Sequence, residues 1–238
     1  MKEKRRVPLD EKKISHGVFD DATLFAIEKL MRERKIEKFS GIISIGKEAN
    51  VYHGFSSDGK EIVIKIYAVE TSDFRNMDKY LANDVRFPKW KNRRHLVHLW
   101  AKREFHNLWK IHRYVNCPEP VALHDNVLVM SFIGSKGIPA PKLKDVLPEN
   151  PEKTLEKILN FIKVMYMKNF VHGDLSEYNI LYWKDEPWLI DFSMGVLITH
   201  PLAEELLIRD VRNVLRYFKE FEIKKDENEV LEWVKNAH

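Results

Sequence analysis

The sequence predicts an α+β chain in two lobes, a small β-sheet lobe followed by a short helical lobe. Three observations carry that expectation. β-prone runs gather in the N-terminal 134 residues, at 44–51, Glu61–Tyr67 and 127–134. In the second half apolar residues recur at helical spacing, first Leu155, Ile158, Leu159, Ile162 and Tyr166, then Leu207, Val211, Val214, Leu215 and Phe218. Between those two stretches lie the string V-H-G-D-L-S-E-Y-N at 171–179 and a pair of short β-prone runs. With 238 residues, 44% of them hydrophobic and 32% charged, the chain is long and apolar enough to bury a core.

Each element has a local reason. At 44–51, S-I-G-K-E-A-N-V reads as strand, turn and strand. Next, E-I-V-I-K-I-Y at Glu61–Tyr67 is a β-branched run with Lys65 in its interior, where a charge is costly without a partner. Standing alone, it would read as an edge strand with Lys65 snorkelling to water. Glu104, in A-K-R-E-F-H-N-L-W-K-I, lies on a helix that continues through Leu108 and Ile111. It is the expected partner of Lys65; Glu48 is the rival, and a solvated glutamate the plain alternative. V-L-V-M-S-F-I-G at 127–134 is an apolar strand ending in a turn. Asn150-Pro151-Glu152 starts a helix, with an N-cap, a proline in the first turn and an acid near the positive end of the dipole. Strands are then expected at Ile180–Trp183 and 188–190, with a turn over 184–187. That puts Asn179 and Asp191 at strand ends, facing one cation site. On the last predicted helix, Asp210 flanks the apolar stripe, within reach of backbone amides of the 171–179 loop.

Asp174, Asn179 and Asp191 follow the spacing of a kinase phosphotransfer site. There the first Asp handles the proton of the nucleophile, while the Asn and the second Asp bind the Mg²⁺ that bridges the phosphates. Lys65 then matches the lysine for the α- and β-phosphates. Of the G-x-G-x-x-G-x-V phosphate-covering loop only Gly46 survives, within Ser44, Gly46, Lys47, Glu48, Ala49 and Val51. Met130 fits the back of an adenine pocket, with the Ser131 carbonyl and the Ile133 amide on the adenine edge. His172 is expected to orient the loop through hydrogen bonds, with the acid/base role falling to Asp174.

Composition excludes other classes. The single cysteine, Cys117, rules out internal disulfides and fits a reducing cytoplasm. No apolar run approaches the ~20 residues of a membrane span, and the first ten residues hold no signal-peptide core; a cytoplasmic protein without membrane or DNA partners is expected. The net charge is +4, unevenly spread: seven Lys or Arg and no acid lie between Arg86 and Arg103, with Trp90, Trp100, His95 and His98 interleaved. Such a stretch can hold phosphates and stack bases, or be a solvated face.

The motifs together resemble those of RIO-type atypical serine/threonine protein kinases, of the first RIO subfamily in a minimal archaeal-like form. Six strings carry the resemblance: S-I-G-K-E-A-N-V-Y at 44–52, I-V-I-K-I-Y around Lys65, F-R-N-M-D-K-Y-L-A-N-D-V-R-F at 74–87, M-S-F-I-G at 130–134, H-G-D-L-S-E-Y-N at 172–179 and I-D-F-S at 190–193. The second subfamily would carry a winged-helix domain, for which no room is expected before Ile42. The resemblance implies a protein-kinase-like fold with a truncated helical lobe and an extra N-terminal helix at 21–35. The implied division is an N-terminal extension and helix at 1–41, a small lobe at 42–130 with a mobile insertion at about 70–96, and a hinge and reduced large lobe at 131–238. It further implies ATP and Mg²⁺ as cofactors, with Mn²⁺ able to substitute, and serine phosphorylation linked to maturation of the small ribosomal subunit precursor and its RNA. An ATPase cycle through a phospho-aspartate would use Asp191. Two residues depart from the family: Ser131 replaces a usual acid, and Met194 a frequent Gln.

Absences narrow the substrate. The stretch after Asp191 has no A-P-E string, so the platform that lays out an extended peptide is not expected. Gly173 precedes Asp174 where loop-phosphorylated kinases have Arg, so activity should not need loop phosphorylation. Aminoglycoside- or choline-type kinases share H-G-D-x-x-x-x-N but need a large helical insert, and the small kinase of a tRNA-modifying complex lacks a long insertion between Lys65 and Glu104. A nucleotide-binding scaffold without turnover would not need the complete Lys65, Asp174, Asn179 and Asp191 set.

Overall fold

The computed structural model describes residues 19–69 and 74–236. Helix α1 (Asp21–Arg32) starts where Asp20 accepts a hydrogen bond from the Thr23 amide at 2.8 Å. Its stop at Arg32, short of the expected residue 35, follows from Arg34, whose φ of 62° leaves the helical range. Strands β1 (Lys38–Ile45), β2 (Ala49–Phe55) and β3 (Glu61–Tyr67) form an antiparallel meander. After helices α2 (Phe74–Leu81) and α3 (Arg93–Ile111), strands β4 (Pro120–His124) and β5 (Val127–Ser131) complete a five-stranded sheet in the order β1-β2-β3-β5-β4.

Alternation explains why β3 carries apolar residues on both faces. Ile62, Ile64 and Ile66 face one side, joining Tyr52, Val127, Val129 and the Ala26, Ile27 and Leu30 stripe of α1 in one core cluster. Tyr67, Leu128 and Met130 lie in the other cluster, against α3, with Val63 packed at its edge. Lys65 shares that second face. The helix implied by the family resemblance is therefore what buries the outer side of the sheet and leaves the inner side for chemistry.

Of the expected insertion at about 70–96, residues 70–73 and Ser72 with them lie outside the described residues. The remainder is more structured than a plain insertion. Met77, Tyr80 and Leu81 of α2 are buried, and α3 already starts at Arg93, because Asn92 accepts from the His95 amide at 2.9 Å.

A hairpin of β6 (Gly134–Ser135) and β7 (Ile138–Pro139) leads into the second lobe. There α4 (Pro151–Met167) has the expected Asn150 cap and the proline in its first turn. The pair β8 (Phe170–Val171) and β11 (Val196–Leu197) brackets β9 (Ile180–Trp183) and β10 (Glu186–Leu189), and α5 (Ala203–Phe218) and α6 (Glu227–Lys235) finish the lobe. The β9–β10 turn is two residues rather than the expected four: Lys184 and Asp185 have φ of 52° and 59°, a backbone twist that matches the strands and lets Glu186 pair with Trp183.

Candidate active site

Between the lobes lies a cavity of about 620 Å³. Its roof is the β1–β2 hairpin, where Ser44, Gly46, Lys47, Glu48, Ala49 and Val51 all line the space. Gly46 is required by close approach, since a Cβ there would sit 2.9 Å from the Ala49 carbonyl oxygen. Met130, Ser131 and Ile133 form the back wall, and Lys65, Glu104, Asn179 and Asp191 the polar end. Asp174 lies just beneath, tied to that end through Asn179.

Lys65 stands opposite Val51 on β2 and Leu128 on β5, so register aims it inward. Its Nζ is 2.9 Å from Glu104 Oε2 and 3.2 Å from Asp191 Oδ1. Glu104, not Glu48, is thus its partner, and the Tyr67 hydroxyl also donates to Glu104. Burial lowers the affinity of Lys65 for its proton, but the Asp191 and Glu104 charges more than reverse this, so it stays an ammonium. For Glu104, burial wins and pushes the carboxyl above the usual range despite Lys65. Asp191 goes the other way: burial opposes ionisation, yet Lys65 and a 2.7 Å bond from Ser193 Oγ hold it at about 2.

The 171–179 loop is fixed by its backbone. Buried Asp210 accepts from the Gly173 amide at 2.7 Å and the Leu175 amide at 2.8 Å, and Arg209 donates to the Gly173 carbonyl. Gly173 has φ 80°, and a Cβ there would lie 2.7 Å from the Met194 carbonyl oxygen, which accounts for glycine where other kinases have arginine. His172 donates from Nε2 to the Ile190 carbonyl at 3.2 Å and accepts the Asp174 amide on Nδ1 at 3.3 Å, which fixes the tautomer. Asn179 Nδ2 donates to the Asp174 carbonyl and to Asp174 Oδ2, both at 2.8 Å. Burial, then the Asp191 charge, raise the Asp174 pKa above the ordinary carboxylate value.

Some residues at the site went unassigned in the sequence. Ser193 and Tyr67 sat inside quoted strings but had no role until the fold brought their hydroxyls to Asp191 and Glu104. Pro139, Ala140, Leu181 and Ile190 line the cleft without any periodic signal. Ser131 does more than offer backbone: its Oγ accepts the Glu119 amide at 2.8 Å, pinning β5 to the chain before β4.

Three of the seven cations in the basic stretch are reassigned. Trp100 and Arg103 are fully buried, Arg86 pairs with Asp84 at 2.6 Å, and Arg94 pairs with Asp20 at 2.6 Å. Lys89, Lys91, Arg93 and Lys102 remain on the surface.

A family model described as the RIO domain matches residues 50–230. The chain belongs to the RIO family. Over 220 residues, 91% of this chain and 75% of its relative, it is 43% identical to the RIO-type serine/threonine-protein kinase Rio1 of Methanocaldococcus jannaschii. For the Rio1 of Haloferax volcanii the figures are 39% over 227 residues, 94% and 78%. These bear out the first RIO subfamily. Among solved structures, the Rio2 kinase of Chaetomium thermophilum superposes with a TM-score of 0.70 at 22% identity, covering 94% of this chain and 72% of that one. At that identity the match speaks for the fold alone: two-lobed, protein-kinase-like and α+β. This RIO-family chain, among its described residues, has no helix long and apolar enough to cross a membrane and no group of three or more His, Cys, Asp or Glu poised for a metal.

Proposed function

We propose that this RIO-family protein transfers the γ-phosphoryl group of ATP with Mg²⁺, either to a serine or threonine hydroxyl or transiently to its own Asp191. One observation carries the reading: the Lys65 ammonium lies between Glu104 and Asp191, 2.9 and 3.2 Å away, at one end of the cleft between the lobes. That leaves a nucleotide's base against Met130 and its phosphates against Lys65.

The donor set suits Mg²⁺. Asp191, ionised through the whole physiological range, and the Asn179 carboxamide are hard oxygen donors, and Mg²⁺ at phosphate sites is usually held by one or two protein groups plus phosphates. Bound there, the ion would neutralise charge on the β- and γ-oxygens. Mn²⁺ has the same ligand preferences and would substitute.

In transfer to protein, the substrate hydroxyl oxygen attacks the γ-phosphorus, the bond to the ADP oxygen breaks, and Asp174 takes the hydroxyl proton. In the ATPase cycle an Asp191 oxygen attacks the γ-phosphorus instead and ADP leaves. Water then attacks that phosphorus as Asp174 takes its proton, the bond to the Asp191 oxygen breaks, and inorganic phosphate departs to leave the free carboxylate. A neighbour of the same fold is a Rio2 kinase–ADP/Mg²⁺–phosphoaspartate complex from Chaetomium thermophilum; for this chain the second route is our proposal. In this proposal residues 1–41 are an extension and helix, 42–130 the small lobe and 131–238 the hinge and large lobe. The biological setting would be small ribosomal subunit maturation, with precursor RNA against Lys89, Lys91, Arg93 and Lys102.

Short incubation with γ-labelled ATP separates the routes. Label on Asp191 that hydroxylamine releases is expected. If all label resists hydroxylamine, for example on Ser72 outside the described residues, and Asp174→Asn abolishes it, the phospho-aspartate cycle is wrong and serine transfer stands. No Mg²⁺-dependent turnover at all would overturn the function.

A further inference from the structure

Behind the cleft lies a buried polar cluster that takes no part in the reaction as written. It joins the chain following α2 to the turn that follows Asp191, by way of α3. Asn107, one helical turn after Glu104 and fully buried, uses its whole amide: Nδ2 donates to the Phe192 carbonyl at 2.7 Å and the Gly195 carbonyl at 3.0 Å, and Oδ1 accepts from Arg86 Nη1 at 2.9 Å. A flipped amide would set oxygen against two carbonyls, so the orientation is fixed. Arg86 is aimed in turn by Asp84, its Nε and Nη2 gripping the two carboxylate oxygens at 2.8 and 2.6 Å. Alongside, wholly buried Arg103 donates to the Gly195 carbonyl at 2.9 Å and the Tyr80 carbonyl at 2.7 Å, with Asp84 Oδ2 at 3.3 Å.

These bonds bear on Asp191 because Asp191 is strained. Its φ of 62° and ψ of 71° put a non-glycine residue in the left-handed region, a conformation that persists only where neighbours over-determine it. On one side, the Ile190 amide donates to the Asn179 carbonyl at 3.0 Å and His172 holds the Ile190 carbonyl. On the other side, Asn107 holds the Phe192 and Gly195 carbonyls that bound the following turn. A Cβ on Gly195 would collide with the Phe170 ring and crowd Asn107, so this approach depends on glycine.

We infer that Asn107, oriented by Arg86 and Asp84, is a positioning residue for Asp191, and that the short stretch between α2 and α3 that carries Arg86 and Asp84 thereby sets the geometry of the phosphoryl-transfer carboxylate. The inference rests on the role proposed above for Asp191. It has a structural consequence that does not depend on that role, namely that loosening residue 107 or 86 frees the turn after Asp191.

Asn107→Ala and Arg86→Gln test it in the full chain, by amide hydrogen exchange and by steady-state kinetics with Mg²⁺ and ATP. Arg86→Gln leaves Asp84 its bond to Arg103, so it serves should Asn107→Ala not fold. Expected are exchange faster by roughly tenfold at residues 191–196 with α4 to α6 unchanged, and kcat lower by roughly ten- to a hundredfold with KM for ATP within about threefold. Unchanged exchange at 191–196 would overturn the clamp. Faster exchange with unaltered kcat, or a raised KM alone, would reduce the cluster to a structural one and overturn the positioning role. Absence of turnover in the unmodified protein would instead sink the proposed function, and exchange alone would then decide the clamp.

Discussion

His172 is kept neutral by its surroundings. Burial lowers its pKa to about 4, with Asp191 and the Ile190 carbonyl only partly opposing, and a proton on Nδ1 would meet the Asp174 N–H. The unfolded imidazole, near 6.5, binds a proton between those values that the folded one does not, so the His172 contribution to stability falls by about 2–3 kcal/mol as pH drops from about 6.5 towards 4. Glu104 and Asp210, whose carboxyl pKa values burial raises, contribute with the opposite sign over the same window. The His172 share is therefore read by urea titration as the difference in pH slope between wild type and His172→Asn; equal slopes would assign it elsewhere. Asp174→Asn should lower phosphoryl transfer by roughly 10²–10⁴, about 3–5 kcal/mol of barrier, and leave ATP affinity within a few-fold; wild-type turnover in that variant contradicts the role. Asp210→Asn would replace one of two acceptors with a donor facing a backbone N–H. The expected cost is about 1–3 kcal/mol of stability, and a denaturation midpoint equal to wild type would show that the loop is held otherwise.

At the scale of elements, α3 decides most. Its inner face carries Glu104, Asn107 and Arg103, its N-cap is Asn92, and only part of its basic sequence reaches solvent. An RNA-binding test therefore belongs on the exposed cations. Replacing Lys91, Arg93 and Lys102 with Gln should weaken binding to small-subunit precursor RNA and flatten its log–log salt slope by at most about 0.7–0.9 for each phosphate that is no longer neutralised. Affinity that does not move, or never depended on salt, makes this a solvated face.

For the whole molecule, the cleft between lobes links ligand binding to global stability. If ATP and Mg²⁺ bind only the folded state, saturation at 100 times Kd adds about 2.7 kcal/mol, worth roughly 5–10 °C in Tm for a chain of this size. Chelating Mg²⁺ with EDTA should remove most of the shift, and Lys65→Met should shrink it further. A shift of equal size with and without EDTA would separate nucleotide binding from the metal.

The candidate set that the fold gathers at one end of the cleft, Lys65, Asp174, Asn179 and Asp191, was legible in the chain alone, because it sits on predictable elements: an apolar strand, the loop after a capped helix, and a hairpin. Helical spacing also pointed to Glu104 and to the loop-holding Asp210. Whatever depends on residues far apart in the chain waited for the packed fold. Whether Arg86 and Arg103 face solvent or Asp84, whether Ser193 reaches Asp191, and which wall residues close the cleft turn on packing between α2, α3 and the turn after β10. A cationic run looks the same in sequence on either face of a helix. Only the fold sends Arg103 inward, where Asp84 offsets its charge and two carbonyls accept its N–H groups.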